Sequence, residues 1–176
     1  MMYKATDTEG RSFADSKVTW AVGETTTHPT SKKMVRNDAA TYLSASVEPA
    51  DCTGFRWPCR LFEVEPEGEC LEGMVDYSHK RAALAFRVVR ELDAFEALGP
   101  NGEAVAKLIE RTRRLTADEI ARLGAAWGAA WGAAWGAARD AARDAAWGLL
   151  VKDKITPEQF ATLTKPWRDA GLELPE

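Results

Sequence analysis

The sequence is poor in the residues from which catalytic and metal sites are usually built. It has two histidines, His28 and His79, and three cysteines, Cys52, Cys59 and Cys70. No two cysteines form a CxxC pair and neither histidine is near such a pair, so we expect reduced structural thiols and no metal site. The P-loop, dinucleotide-binding, HExxH and GxSxG motifs are also missing. No cofactor is therefore expected from the motifs.

An excess of basic residues and a long apolar run are missing too. The chain has 23 lysines and arginines against 27 aspartates and glutamates, a net charge of -4, which gives no electrostatic footprint for nucleic acid. The start, Met-Met-Tyr-Lys, has no apolar segment of a secretory signal. The uncharged run 123–138 is too short to span a bilayer. We therefore expect a cytoplasmic protein with neither a nucleic-acid nor a membrane partner.

What the chain has is the composition of a globular protein. It has 176 residues, 45% of them hydrophobic and 28% charged, within the ordinary range for folded domains. This length holds one domain, or a small domain with a helical extension, and it suffices to bury a core.

The first part of the chain, as far as about Cys70, has the pattern of strands and turns. Strand candidates are Tyr3 to Thr6, Val18 to Val22 and Arg60 to Glu65, each with alternating or β-favouring residues. A short helix is expected over 37–42. We predict a small antiparallel or mixed sheet within residues 1–78.

After Tyr77 the spacing of apolar residues becomes helical. A stripe with steps of four, four and three predicts a helix over 82–98, formed by Leu84, Val88, Leu92 and Phe95. Gly99-Pro100-Asn101-Gly102 ends it, and a second helix follows over 103–114. The predicted fold class is α+β, with a sheet-containing domain at 1–78 and a helical region at 79–176.

Two capping signals mark the later helices. Thr116 and Glu119 have the spacing of a capping box, so we predict one long helix over about 117–152, roughly 54 Å in length. Thr156-Pro157-Glu158-Gln159 repeats the same signal with proline at the first helical position. It predicts a final short helix that ends at Pro166.

The long predicted helix contains six consecutive four-residue units at 125–148: AAWG, AAWG, AAWG, AARD, AARD and AAWG. Four residues advance a helix by 400°, so each unit is rotated about 40° from the previous one. Across the repeat this totals about 200°, and the third residues form a slow spiral. These residues are Trp127, Trp131, Trp135, Arg139, Arg143 and Trp147.

The glycines of this segment need a compensating interaction, because each costs about 1 kcal/mol relative to alanine inside a helix. We expect close approach of another element to offset that cost. The glycines are Gly124, Gly128, Gly132, Gly136 and Gly148. In the two arginine units Asp140 and Asp144 replace glycine, so that half is expected to meet water.

Four interpretations of the tryptophans stay open: intramolecular core against the sheet and the helix 82–98, self-association, docking of another protein, and membrane contact. A repeat presents one surface many times, whereas an active site needs different polar groups converging. We therefore expect a non-enzymatic function in binding, in which aromatic residues backed by small ones act as anchors. The expected interaction residues are Trp127, Trp131, Trp135 and Trp147.

A second hypothesis concerns the sheet domain. Two short motifs, Ser44-Ala45-Ser46 and Glu63-Val64-Glu65, resemble the Ser-x-Ser and Glu-x-Glu motifs of mono-ADP-ribosyltransferases, with Arg11 or Arg36 as the arginine of that family. The resemblance implies an enzyme that uses NAD, in which the arginine holds the phosphates, serine orders the site and the second glutamate supports transfer. The alternative is that both glutamates lie on the solvated face of an edge strand.

Several other segments resemble a group of uncharacterised proteins of actinobacterial phages and their hosts. They are Tyr3-Lys4-Ala5-Thr6, Arg11-Ser12-Phe13, the stretches 43–50 and 60–65, the Ala-Ala-Trp and Ala-Ala-Arg units, and 156–160 with Pro166-Trp167. The resemblance implies a phage or actinobacterial source, and a phage or host protein as the partner if the tryptophans do not mediate self-association. It brings no catalytic residues.

Overall fold

A computed structural model describes residues 1–52, 56–72, 78–126 and 134–175, and for 134–138 it describes the backbone alone. The chain divides into two compact units, Met1–Gly99 and Pro100–Glu176. The first, which we call the sheet unit, contains an antiparallel five-stranded sheet, and the second, the helical unit, contains four α-helices. The predicted α+β class is confirmed.

The sheet closes on itself. Its strands are β1 (Met2–Thr6), β2 (Thr25–Thr27), β3 (Leu43–Ser46), β4 (Arg60–Leu71) and β5 (Lys80–Leu92). Their order is β2-β5-β3-β1-β4, and β4 also pairs with β5. At Phe62 of β4, for example, Lys4 pairs from one side and Glu91 from the other. Closure leaves few unpaired strand edges.

Two hydrophobic clusters bury both faces of β4. Phe62 and Val64 belong to the larger cluster, and Leu61 belongs to the smaller one together with Ala97. Neighbouring strand residues point to opposite faces, so complete burial of both Leu61 and Phe62 means that each face is covered. The larger cluster comprises Val18, Trp20, Leu43, Ala45, Phe62, Val64, Ala83, Phe86 and Val88.

Two of the three expected strands are confirmed, at the positions of β1 and β4. Val18 to Val22 is not a strand, because its pairing is limited to an isolated bridge between Thr19 and Arg11. The expected short helix over 37–42 is a 3₁₀ turn at Ala39–Thr41. Further 3₁₀ turns lie at Pro49–Asp51, Ala94–Leu98 and Lys152–Lys154.

The predicted helix over 82–98 is wrong, since these residues form most of β5 and the turn Ala94–Leu98. Leu84, Val88 and Leu92 are spaced by four, and four is a multiple of the two-residue period of a strand as well as close to one helical turn. Buried Phe86 and Val88 alternate with an exposed Arg87, which is the strand pattern. The sheet unit consequently extends to Gly99, beyond residue 78.

The helices are α1 (Gly102–Arg113), α2 (Ala117–Ala126), α3 (Ala134–Leu150) and α4 (Pro157–Asp169). The predicted second helix is confirmed as α1. Helix α4 does not end at Pro166 but continues through it for three residues, to Asp169.

Both predicted capping boxes are confirmed. At α2, Thr116 N donates to Glu119 Oε2 over 2.8 Å, and Glu119 N donates to Thr116 Oγ1 over 3.2 Å. The Thr116 backbone N–H, helped by the Arg111 guanidinium and the Thr116 hydroxyl, lowers the pKa of Glu119 to about 2. At α4, Thr156 and Gln159 form the same reciprocal pair.

The prediction of one continuous helix over 117–152 is wrong. In such a helix every residue of α2 would lie at least about 12 Å along the axis from every residue of α3. Instead α2 and α3 pack directly against each other, and α4 contacts both of them. The described repeat residues of α2 and α3 thus belong to a helix bundle rather than to a straight rod.

Candidate functional site

The buried side of α3 is formed by the small residues of the repeat. Ala141, Ala145 and Leu149 are buried, at successive steps of four. We call these three residues the alanine seam. Each step of four turns only about 40° around the helix, so the seam stays on one side along the whole segment and faces the other helices of its unit.

Trp147 lies on the opposite side of α3. It follows Ala145 by two residues, about 200° around the helix, and its side chain is 43% exposed. Trp147 is therefore not part of the side of α3 that is buried against the other helices of its unit.

The two arginine units extend this outer surface. Arg139 and Arg143 are exposed and occupy the same repeat position as Trp147. The Arg143 guanidinium lies 3.3 Å from Asp140 and 3.7 Å from Asp144. The expectation that this half of the repeat meets water is confirmed. We call Arg139, Arg143 and Trp147 the Trp/Arg row.

The other predicted interaction residues are not all within the described part of the chain. Trp127 and Trp131 lie outside the described residues. Trp135 belongs to α3, where only its backbone is described. Their placement on the surface thus stays a prediction.

The close approach expected at the glycines is confirmed at Gly148, which packs against α4. A Cβ added there would lie 3.3 Å from Leu163 Cβ and 3.4 Å from Thr164 Cγ2. A side chain at this position would therefore push α3 and α4 apart. The glycine of the last unit serves the contact between helices, and its tryptophan neighbour faces outward.

In the sheet unit, Ser46 and Glu63 lie on either side of the same residue. Tyr3 of β1 pairs with Ser46 of β3 and with Glu63 of β4, so the serine and the glutamate are two strands apart, about 10 Å. Ser46 Oγ donates to Asp51 O over 3.1 Å. Glu63, 6% exposed, accepts from Arg90 Nε over 2.8 Å.

Ser44 and Glu65 lie apart from that pair. Ser44 lines a cavity together with Lys4 and Lys80, and Glu65 is an exposed residue of β4 opposite Arg87. The four residues of the transferase hypothesis are thus not gathered around one cavity.

Both candidate arginines have partners of their own. Arg11 Nε lies 2.7 Å from Asp7 Oδ2, and its Nη1 lies 2.8 Å from Glu9 Oε2. Arg36 Nη1 donates to the backbone oxygen of Glu72 over 2.6 Å. Two carboxylates already neutralise Arg11, which disfavours a role in holding phosphates.

The cysteines are free thiols. Burial raises the pKa of Cys52 to about 11 and that of Cys59 to about 11, so both thiols are protonated and weakly nucleophilic at neutral pH. Within the described residues there is no group of three or more histidine, cysteine, aspartate or glutamate side chains that could hold a metal ion.

The sequence analysis did not single out Lys4. In β1 it pairs with Phe62 while Met2 pairs with Val64, which places a lysine at a strand position facing residues of the larger hydrophobic cluster. The sequence shows a lysine within a strand candidate. Whether that lysine faces the core or the solvent is not defined until the pairing register of the strand is known.

Comparison with protein-family models, with curated proteins and with solved structures found no match. In the described part of the chain, no helix has the length and apolar character needed to cross a membrane.

Proposed function

We propose that this protein is a non-enzymatic accessory protein that associates with itself through the Trp/Arg row of α3. The main supporting observation is the exposure of Trp147 on the side of α3 opposite the buried alanine seam. Trp135, Trp131 and Trp127 continue the same repeat position toward the N-terminus. Tryptophan and arginine are the residues most enriched among interface hot spots.

The charges along the row favour a second copy as the occupant. Arg139 and Arg143 carry positive charge, and Asp140 and Asp144, one residue further along, carry negative charge. In a two-fold symmetric dimer the same patch meets itself. A patch that carries both signs, in which Arg143 is already paired with Asp140 and Asp144 of its own chain, can meet its copy without net repulsion, whereas a patch of one sign would repel itself.

An antiparallel arrangement of two α3 helices also gives Trp147 a partner for its ring. A two-fold axis within the row places Trp147 of one copy beside Arg139 or Arg143 of the other, and symmetry repeats that contact. Arginine stacked on a tryptophan face contributes about 0.5–1 kcal/mol at exposed sites and more when water is excluded.

The cellular setting belongs to the same proposal. The resemblance of several segments to proteins of actinobacterial phages and their hosts supports a phage or actinobacterial source. We place the association in the cytoplasm of such a cell. A phage or host protein bound to the row is the alternative occupant.

The test is light scattering on a size-exclusion column over a roughly hundredfold concentration range, because self-association follows mass action. We expect the mass to rise from one chain toward two. Because the contact occurs twice in the dimer, Trp147→Ser should weaken dimerisation by about a thousandfold, the effect of losing about 2 kcal/mol at each of two hot spots.

The matched control is Val89→Ser. Val89 is 39% exposed, close to the value for Trp147, but belongs to β5 of the sheet unit. This variant should dimerise like the wild type. A monomer at every concentration, or equal behaviour of the wild type and Trp147→Ser, would overturn the proposal and leave another protein as the occupant to be sought.

A further inference from the structure

The sheet unit contains two adjoining cavities beside β1 and β3. The larger has a volume of about 610 Å³ and the smaller about 420 Å³. They have in common the residues Lys4, Ser12, Ala14, Ser44 and Lys80. Sites for small molecules commonly measure about 300–1,000 Å³, so the larger cavity has the size of a ligand site.

Lys4 has only neutral direct contacts at these cavities. Its Nζ donates to the backbone oxygen of Ser44 over 3.0 Å and lies 5.0 Å from the centroid of the Trp20 ring. Considering the residues that the structure describes, Lys4 forms no ion pair with a carboxylate. Lys4 is partly buried, and a lysine ammonium that has lost part of its water favours an anionic partner.

The surroundings of Lys4 disfavour its positive charge. Desolvation is the larger cause and the nearby positive charge of Lys80 the second, and together they lower the pKa of Lys4 to about 8. The Cys52 thiol acts weakly in the opposite direction. An anion placed between the two lysines would relieve their mutual repulsion and give Lys4 a charged partner.

The rest of the lining adds positive charge and hydrogen-bond donors. In the larger cavity Lys17 joins Lys4 and Lys80, and Asp15 is the acidic residue of its lining. The lining of the smaller cavity includes Arg56 and His79 and the acidic Asp51. Among the described residues that line the larger cavity, lysines outnumber carboxylates, so this lining favours a ligand with more than one negative charge.

His28 contributes a further donor to the larger cavity. Its Nδ1 accepts hydrogen bonds from Ser31 N over 2.9 Å and from Thr30 N over 3.3 Å. In a neutral imidazole one nitrogen accepts and the other carries the proton, so the proton of His28 is on Nε2. The ring therefore has an N–H group that can donate to an anionic ligand.

We propose that this cavity binds a phosphate-bearing small molecule, with Lys4 and Lys80 contacting the phosphate oxygens. Two lysine ammonium groups balance the two or more negative charges of a phosphate ester or diphosphate. A ligand with a single carboxylate would leave one of the two lysines without a negative charge to pair with. Tyr42, Leu43 and Pro29 also border the cavity and offer apolar surface to the organic part of the ligand. This site belongs to the sheet unit and does not depend on the Trp/Arg row.

Calorimetric titration of the full chain with adenosine diphosphate, and separately with inorganic pyrophosphate, tests this proposal. We expect at least one of these probes to bind at one site per chain. Lys4→Met and Lys80→Gln should each weaken binding by about tenfold or more, the effect of losing one charge-assisted contact. Lys33→Gln removes an equal charge from an exposed loop of the same unit and should leave the affinity unchanged.

The outcomes separate a built site from general attraction of anions. Failure of both probes to bind at millimolar concentration would overturn the proposal. Equal losses in Lys33→Gln and in the two cavity variants would overturn it too, because that result indicates net charge rather than a site. Trp147→Ser should bind the probes like the wild type, so failure of the dimer proposal and failure of this one are distinguishable.

Discussion

The two units of this chain bury different kinds of side chain. In the described part of the sheet unit the interior includes Thr6, Thr26, Ser46 and Glu63, whereas among the described residues of the helical unit only Thr164 is a buried polar residue. The helical unit instead buries the alanine seam. Both units have apolar interiors, but the sheet unit also buries several polar groups with particular partners, and the helical unit brings its helices close together through small residues.

The two buried tryptophans show the same contrast. Trp167 of α4 donates its Nε1 hydrogen to Glu173 O over 3.0 Å. The Nε1 group of Trp20 in the sheet unit has no hydrogen-bond partner within the described residues, although its ring contacts Lys4. Buried donors without acceptors are rare and often accompany functional sites. The described part of the sheet unit thus contains a buried donor without an acceptor, whereas the buried tryptophan of the helical unit has its acceptor.

The largest loss of stability is expected when a charge is placed in the alanine seam. Ala145→Asp buries a carboxylate at a fully buried position where no cation is expected, and should lower the free energy of unfolding by about 3–5 kcal/mol. Ala146→Asp is the matched control at a partly exposed position one residue away. It should cost much less. Equal losses, measured by chemical denaturation, would show that α3 has no strongly buried side.

A smaller effect is expected when a polar partner is removed from the sheet unit. Arg90→Ala leaves the buried Glu63 carboxylate without the guanidinium that lies 2.7 Å from its Oε2, and should cost about 2 kcal/mol of unfolding free energy. The exposed Arg87 of the same strand provides the control variant Arg87→Ala. If both variants unfold at the same denaturant concentration, the Glu63–Arg90 pair does not support the sheet.

The smallest effect concerns the pH dependence of Lys4. Its pKa is lowered from 10.5 to about 8 in the folded protein, so the unfolded chain holds this proton more tightly. Stability should therefore rise with pH from about 8 toward 10.5 on account of Lys4, by roughly 1 kcal/mol between pH 8 and 9. Lys4→Met should lose this rise, as followed by denaturation at several pH values.

The titration of two thiols changes stability with pH in the opposite direction to that of Lys4. The pH dependence of Lys4→Met is therefore compared with that of the wild type. The pKa of Cys52 and that of Cys59 are raised from 9.0 to about 11 by burial, so their contribution to stability falls as pH rises from about 9 through 11. Both proteins contain these cysteines. Parallel curves for the wild type and Lys4→Met would show that Lys4 titrates as an ordinary exposed lysine.

Local signals in the sequence were sufficient for helix starts and not for long-range pairing. The capping residues Thr116 and Thr156 lie next to the helices that they begin, so their meaning does not depend on the rest of the fold. Strand β5 is defined by partners on β2, β3 and β4. The four-residue spacing of its apolar residues fits a helix as well as a strand, and only the pairing with other strands decides between the two.

The same distinction applies to the candidate sites. The repeat itself singled out Trp147 as a candidate, because a periodic pattern shows which residues share a helix position, but it left open whether that position is core or surface. The packing of α2 against α3 could not be read from that pattern, since alanine and glycine are compatible with either a rod or a bundle. The Lys4 cavity needed the sheet register and the loops around residues 15 and 28, which no local motif encodes.

Cross-linking of α3 at Arg143 tests the central claim most directly. In the antiparallel dimer this residue lies at or near the two-fold axis, so Arg143→Cys should be joined efficiently between two copies by a short bis-maleimide. Lys165→Cys, at an exposed position of α4, and the wild type with its own three cysteines should give little covalent dimer. Equal yields in all three proteins would contradict association through the Trp/Arg row.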